Sequence, residues 1–234
     1  MKTFIFFHIP KTAGSSFRHS LKSLYGQENV AFVYDKQNRI EALSQAVEAK
    51  VDAICGHISW DVFRASGLHL SDFETFTFLR QPDDQVVSHF LHKMREKKWK
   101  HSKEIFPDFE EFLKSPWGQN WQTRFLSGFT KEEWAQTDDK ELFHQARKHL
   151  LAINTVGLTE AYSKTMKLLG FKLGWRKLQE EKRNITNDSH TAHVIKKTFA
   201  DEIKRMNLLD LELYQLAQKR FNDDYNQLPF WKKF

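Results

Sequence analysis

One cysteine, Cys55, stands among the 234 residues, so no internal disulfide can form and the chain suits a reducing compartment. Glycine numbers 9 and proline 5, and there is no low-complexity tract and no internal repeat, so nothing marks a linker or a repeat array. No apolar run approaches the roughly 20 residues of a membrane span. The apolar stretch at the start is too short for a secretory signal and reads as a first strand. These absences predict a cytoplasmic protein with no membrane span. Acidic residues are in the minority: 30 Asp and Glu against 36 Lys and Arg give a net charge of +6, a bias towards an anionic ligand without naming one.

Hydrophobic residues at 40% and aromatics at 14% are enough for a substantial core, and the length suits one large domain spanning 1–234. Strands are predicted at residues 3–7, 31–34, 53–55, 75–79 and 155–158. Helices are predicted at 15–24, 39–49, 83–97, 109–113, 139–150, 160–169, 191–206 and 209–225. This alternation predicts an α/β fold with a central parallel sheet covered on both faces, whose ligands sit at the carboxyl ends of the strands. Residues 99–150 are helix-rich and read as an insertion or an acceptor-side lid.

The first strand, FIFF, runs into HIPKTAGSS and then a helix with Phe17, Leu21 and Leu24 on one face. A helix start carries unpaired N–H groups and a partial positive charge, which suits a phosphate; Gly14 lets the backbone come close and Lys11 adds a full charge. Ser15 or Ser16 as a plain N-cap, with Lys11 solvated, is the alternative. The order is not that of the ATP and GTP loop, where lysine follows the second glycine. A second cluster, TFTFLRQPDDQVVSHF, sets Arg80 at a strand end and Ser88 about two turns into the next helix. Together they could grip one phosphate through the planar guanidinium fork; Arg80 as a structural ion-pair partner is the alternative.

HIPKTAGSSF followed by FLRQPDDQVVSHF resembles the carbohydrate sulfotransferases, in particular the heparan-sulfate 2-O and 6-O branches in a bacterial-type form without the membrane anchor of the animal enzymes. The similarity extends to GHISW, QTRFLSG (122–128), VGLTE (156–160) and a late DLELYQLAQKRF. The resemblance implies a P-loop NTPase-like three-layer fold. It also implies the donor 3′-phosphoadenosine 5′-phosphosulfate, with adenosine 3′,5′-bisphosphate as product and no metal. It assigns Lys11, Thr12, Ala13, Gly14, Ser15 and Ser16 to the 5′-phosphosulfate, and Arg80 and Ser88 to the 3′-phosphate. Lys11 would also be catalytic, stabilising charge on the bridging oxygen as the sulfuryl group leaves. Arg183 and Asn184, with Thr186, fall in a polar loop of the kind that closes over the nucleotide, or in an ordinary turn.

The acceptor hydroxyl needs a base, and His57 of GHISW is the first choice, with a strand-end cap as its other reading. The 2-O branch tends to have a second histidine at the position of Cys55. His8 is expected to orient the loop. Gln81 and Gln85 stand where acidic and arginine residues are usual and are expected to weaken pairing around the loop. Tryptophans of the middle section and the basic run 93–103 suit a sugar, so the expected acceptor is a glycan or glycosylated small molecule rather than nucleic acid. The same features also read as core tryptophans and a solvated helix face. Two other functions remain open: a kinase-like NTP-dependent transferase, and a non-catalytic module that binds acidic polysaccharide.

Overall fold

Phe4 to Phe7 alternate between two covered faces of a sheet. The structure is a computed structural model that describes residues 2–35, 37–98, 106–175 and 189–230. Among these, five strands pair in parallel in the order β2-β3-β1-β4-β5: β1 (Thr3–Phe7), β2 (Val30–Val33), β3 (Ala53–Gly56), β4 (Phe73–Leu79) and β5 (Thr155–Leu158). Phe4 and Phe6 join Phe76 and Phe78 under α1 (Gly14–Tyr25) and α9 (Tyr162–Leu173), where Phe17, Leu21, Met166 and Leu169 are buried. Ile5 and Phe7 point the other way. They meet α2 (Arg39–Glu48), α3 (Trp60–Ala65), α6 (Trp121–Ser127), α8 (Asp139–Ala152) and α12 (Leu208–Asn226). Three layers result, and a run with no polar face is what burial on both sides of a parallel sheet requires.

A third apolar cluster joins α4 (Pro82–Lys98), α5 (Phe109–Lys114), α10 (Ser189–Thr198) and α11 (Ala200–Met206) through Val87, Phe90, Phe112 and Ile203. The single helix expected over 191–206 is therefore two. It breaks at Phe199, whose ring turns onto Phe109 at 5.1 Å. Three short helices escaped the sequence pattern: α3, α6 and α7 (Lys131–Trp134). One or two turns are too short for a period of 3.6 to register. The described part of the middle section, 106–150, adds Trp121, Phe125, Leu126, Ala146 and Leu150 to the main core.

The chain leaves β1 towards β2 and leaves β4 towards β5, although β1 and β4 are neighbours. Their carboxyl ends thus flank the crevice in which open α/β sheets take ligands.

Two helix starts cap each other behind this crevice. The fully buried Asp210 carboxylate on α12 accepts the N–H groups of Gln122 (3.1 Å) and Thr123 (2.7 Å) on α6. In return the Asn120 side-chain oxygen accepts from the N–H groups of Leu209 and Asp210. Burial pushes the Asp210 carboxyl above its usual range, and the donated N–H groups oppose that rise. Asp210→Ala strands two buried donors, each costing about 1–3 kcal/mol. We expect a loss of about 3 kcal/mol in urea unfolding, with Asp210→Asn, which keeps one acceptor oxygen, losing about half as much.

Candidate active site

The loop after β1 has two left-handed residues that are not glycine, Lys11 (φ 71°) and Ala13 (φ 63°). Each costs about 1 kcal/mol, so the surroundings must hold the shape. Thr12 does so from beneath: it is fully buried and its hydroxyl donates to the Ile9 carbonyl at 2.7 Å. That leaves Thr12 only its backbone N–H for an anion. Gln85, 1% exposed on α4, donates to the Pro10 carbonyl at 3.2 Å. The expectation that Gln85 weakens the loop is corrected, because its amide ties the loop to α4. Ala13 is the N-cap of α1, and no side chain caps that helix. Its first turn, Gly14, Ser15 and Ser16, therefore presents backbone N–H groups at the mouth of a twelve-residue helix. Ser15 is exposed there and Ser16 is buried.

Gly14 is held to glycine by a side chain of the chain itself. A Cβ on it would lie 1.7 Å from His8 Nε2 and 2.0 Å from His8 Cε1, so the imidazole fills the space where a side chain would stand. The His8 ring stacks on Phe6 at 5.3 Å, and its Nδ1 pairs with the Tyr34 hydroxyl at 2.9 Å.

Arg80 follows β4, and its guanidinium Nη1 donates to the Lys11 carbonyl at 3.1 Å. The residues chosen from two separate motifs thus meet. The Arg80 backbone is gripped reciprocally: its N–H donates to Gln122 Oε1 and its carbonyl accepts from Gln122 Nε2, each at 2.9 Å. The next N–H, of Gln81, donates to Glu160, whose other oxygen accepts from the Tyr214 hydroxyl. Gln122, Glu160 and Asp210 come from three stretches that carry the family resemblance, and all three converge behind Arg80. Their roles were not readable from sequence, since each acts through backbone groups far away in the chain. Ser88 is half-buried on α4 and lies outside the cavity wall formed by the described residues. Arg183, Asn184 and Thr186 lie outside the described residues.

A cavity of about 730 Å³ opens beside the loop, with Pro10 and His57 in its wall. His57 follows β3, and its N–H donates to the Val33 carbonyl at 3.1 Å. Its ring lies 4.8 Å from the His8 ring and 4.8 Å from the Tyr34 ring, so it stands between loop and cavity. Opposite are Trp117, Trp121 and Trp134, with Trp117 and Trp121 at 4.6 Å and Trp121 edge-on to Trp134 at 5.6 Å. The Lys93 and Lys131 ammonium groups lie 4.4 and 3.8 Å from the Trp117 ring centre. His89, 3% exposed, is walled by Trp117, Trp121 and Phe112. Burial, with Lys93 next, pushes its pKa well below the ordinary imidazole value.

The position where the resembled 2-O branch tends to have a second histidine holds a buried thiol. Cys55 is fully buried, its thiol is pushed up to about 12 by burial, and it lies 3.1 Å from the Tyr34 hydroxyl. Among the described residues no group of three His, Cys, Asp or Glu is arranged to hold a metal, and no helix is long and apolar enough to cross a membrane.

A positively charged helix mouth, a lysine, an arginine fork and a histidine-walled cavity together can bind an anionic group and deliver it to a nucleophile. Compared with curated proteins, the sequence finds no match. The model of the sulfotransferase family matches residues 2–230, nearly the whole chain. The chain therefore belongs to the sulfotransferase family, with that family's P-loop-like α/β fold, and its chemistry is sulfuryl transfer to an acceptor.

Proposed function

We propose that the chain transfers the sulfuryl group of 3′-phosphoadenosine 5′-phosphosulfate to a carbohydrate hydroxyl. The observation that carries this reading is the Arg80 guanidinium on the Lys11 carbonyl: two cationic side chains at neighbouring strand ends, one beside an uncapped helix mouth. This arrangement suits a donor with anionic groups at two separate places, which ATP does not have. When bound, the donor supplies an activated sulfuryl group and a stable bisphosphate leaving group.

The residues of this chain do the rest. The Gly14, Ser15 and Ser16 N–H groups and Lys11 neutralise the 5′ end, and Arg80 with Ser88 takes the 3′-phosphate. Lys11 meets the charge that grows on the leaving oxygen, so it stabilises the transition state more than the ground state. His57 removes the acceptor proton from the cavity side. The tryptophan wall offers flat faces to a sugar ring, and Lys93 and Lys131 suit its acidic substituents. Catalysis rests mainly on positioning and charge stabilisation.

Calorimetric titration with adenosine 3′,5′-bisphosphate, beside ATP with Mg²⁺, tests the reading. We expect tight binding of the bisphosphate that a chelator does not weaken. Binding of ATP with Mg²⁺ alone would instead make the chain an NTP-using transferase. Indifference to both would leave a module that binds acidic polysaccharide.

A further inference from the structure

We infer that His8 is a neutral hydrogen-bond donor built into the anion seat, its proton held on Nε2 by Tyr34, which acts as a positioning residue. The inference rests on the donor reading above and adds a residue to it.

Three groups form a chain: Cys55 Sγ, the Tyr34 hydroxyl and His8 Nδ1, spaced 3.1 and 2.9 Å. The tyrosine oxygen has one proton and two neighbours. An imidazole lone pair is a much better acceptor than a thiol sulfur, and a thiol can itself donate. The stable arrangement is therefore Cys55 S–H to the Tyr34 oxygen and Tyr34 O–H to His8 Nδ1. A neutral imidazole whose Nδ1 accepts must carry its proton on Nε2. Every group in the chain stays uncharged: burial raises the cysteine and the tyrosine, and burial with His57, Lys11 and Arg18 nearby lowers the histidine.

The position of Nε2 follows from Gly14. In a helix the Cα–Cβ bond tilts towards the N-terminus. Nε2 lies 1.7 Å from where the Cβ of the first α1 residue would be, so this part of the ring packs against the first turn of the helix. Among the described residues Nε2 has no protein partner, and it is not among the sealed, unpaired atoms. A proton there adds a donor to those of the α1 backbone. It also removes His8 from competition as the base, since Nε2 has no free lone pair.

The test uses ¹⁵N-histidine-labelled protein and adenosine 3′,5′-bisphosphate. Long-range ¹H–¹⁵N spectra of the wild type should show His8 as the Nε2–H tautomer, with that signal shifting on binding. Tyr34→Phe keeps the ring but removes the hydroxyl; it should give mixed tautomers and bind the bisphosphate about three- to tenfold more weakly, the worth of one hydrogen bond. Cys55→Ala leaves Tyr34 able to donate to Nδ1 and should bind as the wild type does. An Nδ1–H tautomer in the wild type overturns the inference. So does equal binding by wild type and Tyr34→Phe, which leaves the donor reading standing. A wild type that binds no bisphosphate overturns the donor reading and this inference with it.

Discussion

His57→Ala is expected to lower kcat about 100-fold or more while leaving the affinity for adenosine 3′,5′-bisphosphate nearly unchanged. The split follows from where His57 stands. Its backbone is fixed at the end of β3 through the Val33 carbonyl, and Gly56 before it cannot be enlarged, since a Cβ there would lie 2.1 Å from that same oxygen. The ring thus has a fixed origin, 4.8 Å from the loop histidine and in the wall of the cavity. Two other histidines share the cavity. His89 is packed among three aromatic rings and held neutral by burial, which makes it part of the wall. His92 is half-buried on the same helix, and His92→Ala is expected to change the acceptor KM more than kcat. Steady-state rates on any acceptor that the wild type sulfates decide the matter. Near wild-type turnover by His57→Ala would move the base elsewhere.

The sequence made the sheet legible because each strand is a short apolar run bounded by polar residues, and burial on both faces leaves such runs no other reading. The two loops drew notice as a pair, because HIPKTAGSSF and FLRQPDDQVVSHF together resemble a known family while each alone also reads as an ordinary strand end. What supports the loops was not. Gln85 looked like a lost arginine, yet an uncharged amide suits a buried position facing a carbonyl better than an unpaired guanidinium would. Gln122 grips Arg80 from a helix of seven residues, and Asp210 holds that helix from 88 positions further on. Pairings at that distance leave no local pattern. Gly14 carried a different lesson: the space it leaves is filled by His8, a contact that the spacing of the loop does not reveal. Tryptophans 117, 121 and 134 read first as core and second as a platform; Trp121 is buried in the main core, and all three line the cavity.

Lys11→Ala and Arg80→Ala are each expected to weaken adenosine 3′,5′-bisphosphate binding tenfold or more, roughly the worth of a charge-assisted hydrogen bond. They should differ in turnover. In the proposed mechanism Lys11 acts where charge appears only as the bond breaks, so Lys11→Ala should also lower kcat by about 10²-fold. In the proposed complex Arg80 meets the 3′-phosphate, whose charge does not change, so Arg80→Ala should act mainly on donor KM. Arg80→Lys is not expected to restore binding. The planar fork reaches the Lys11 carbonyl with one nitrogen while its other N–H groups remain for a ligand, and a single ammonium cannot cover both directions. That shared contact also predicts that the two sites are coupled. Losing Arg80 frees the carbonyl of a residue already strained at φ 71°, so the loop loosens around Lys11 as well. In a double-mutant cycle read by calorimetry, the combined variant should therefore lose less than the sum of the single losses. Strict additivity would mean that the Arg80 contact to the Lys11 carbonyl does not couple the two cations, and the loop-loosening account would have to be given up.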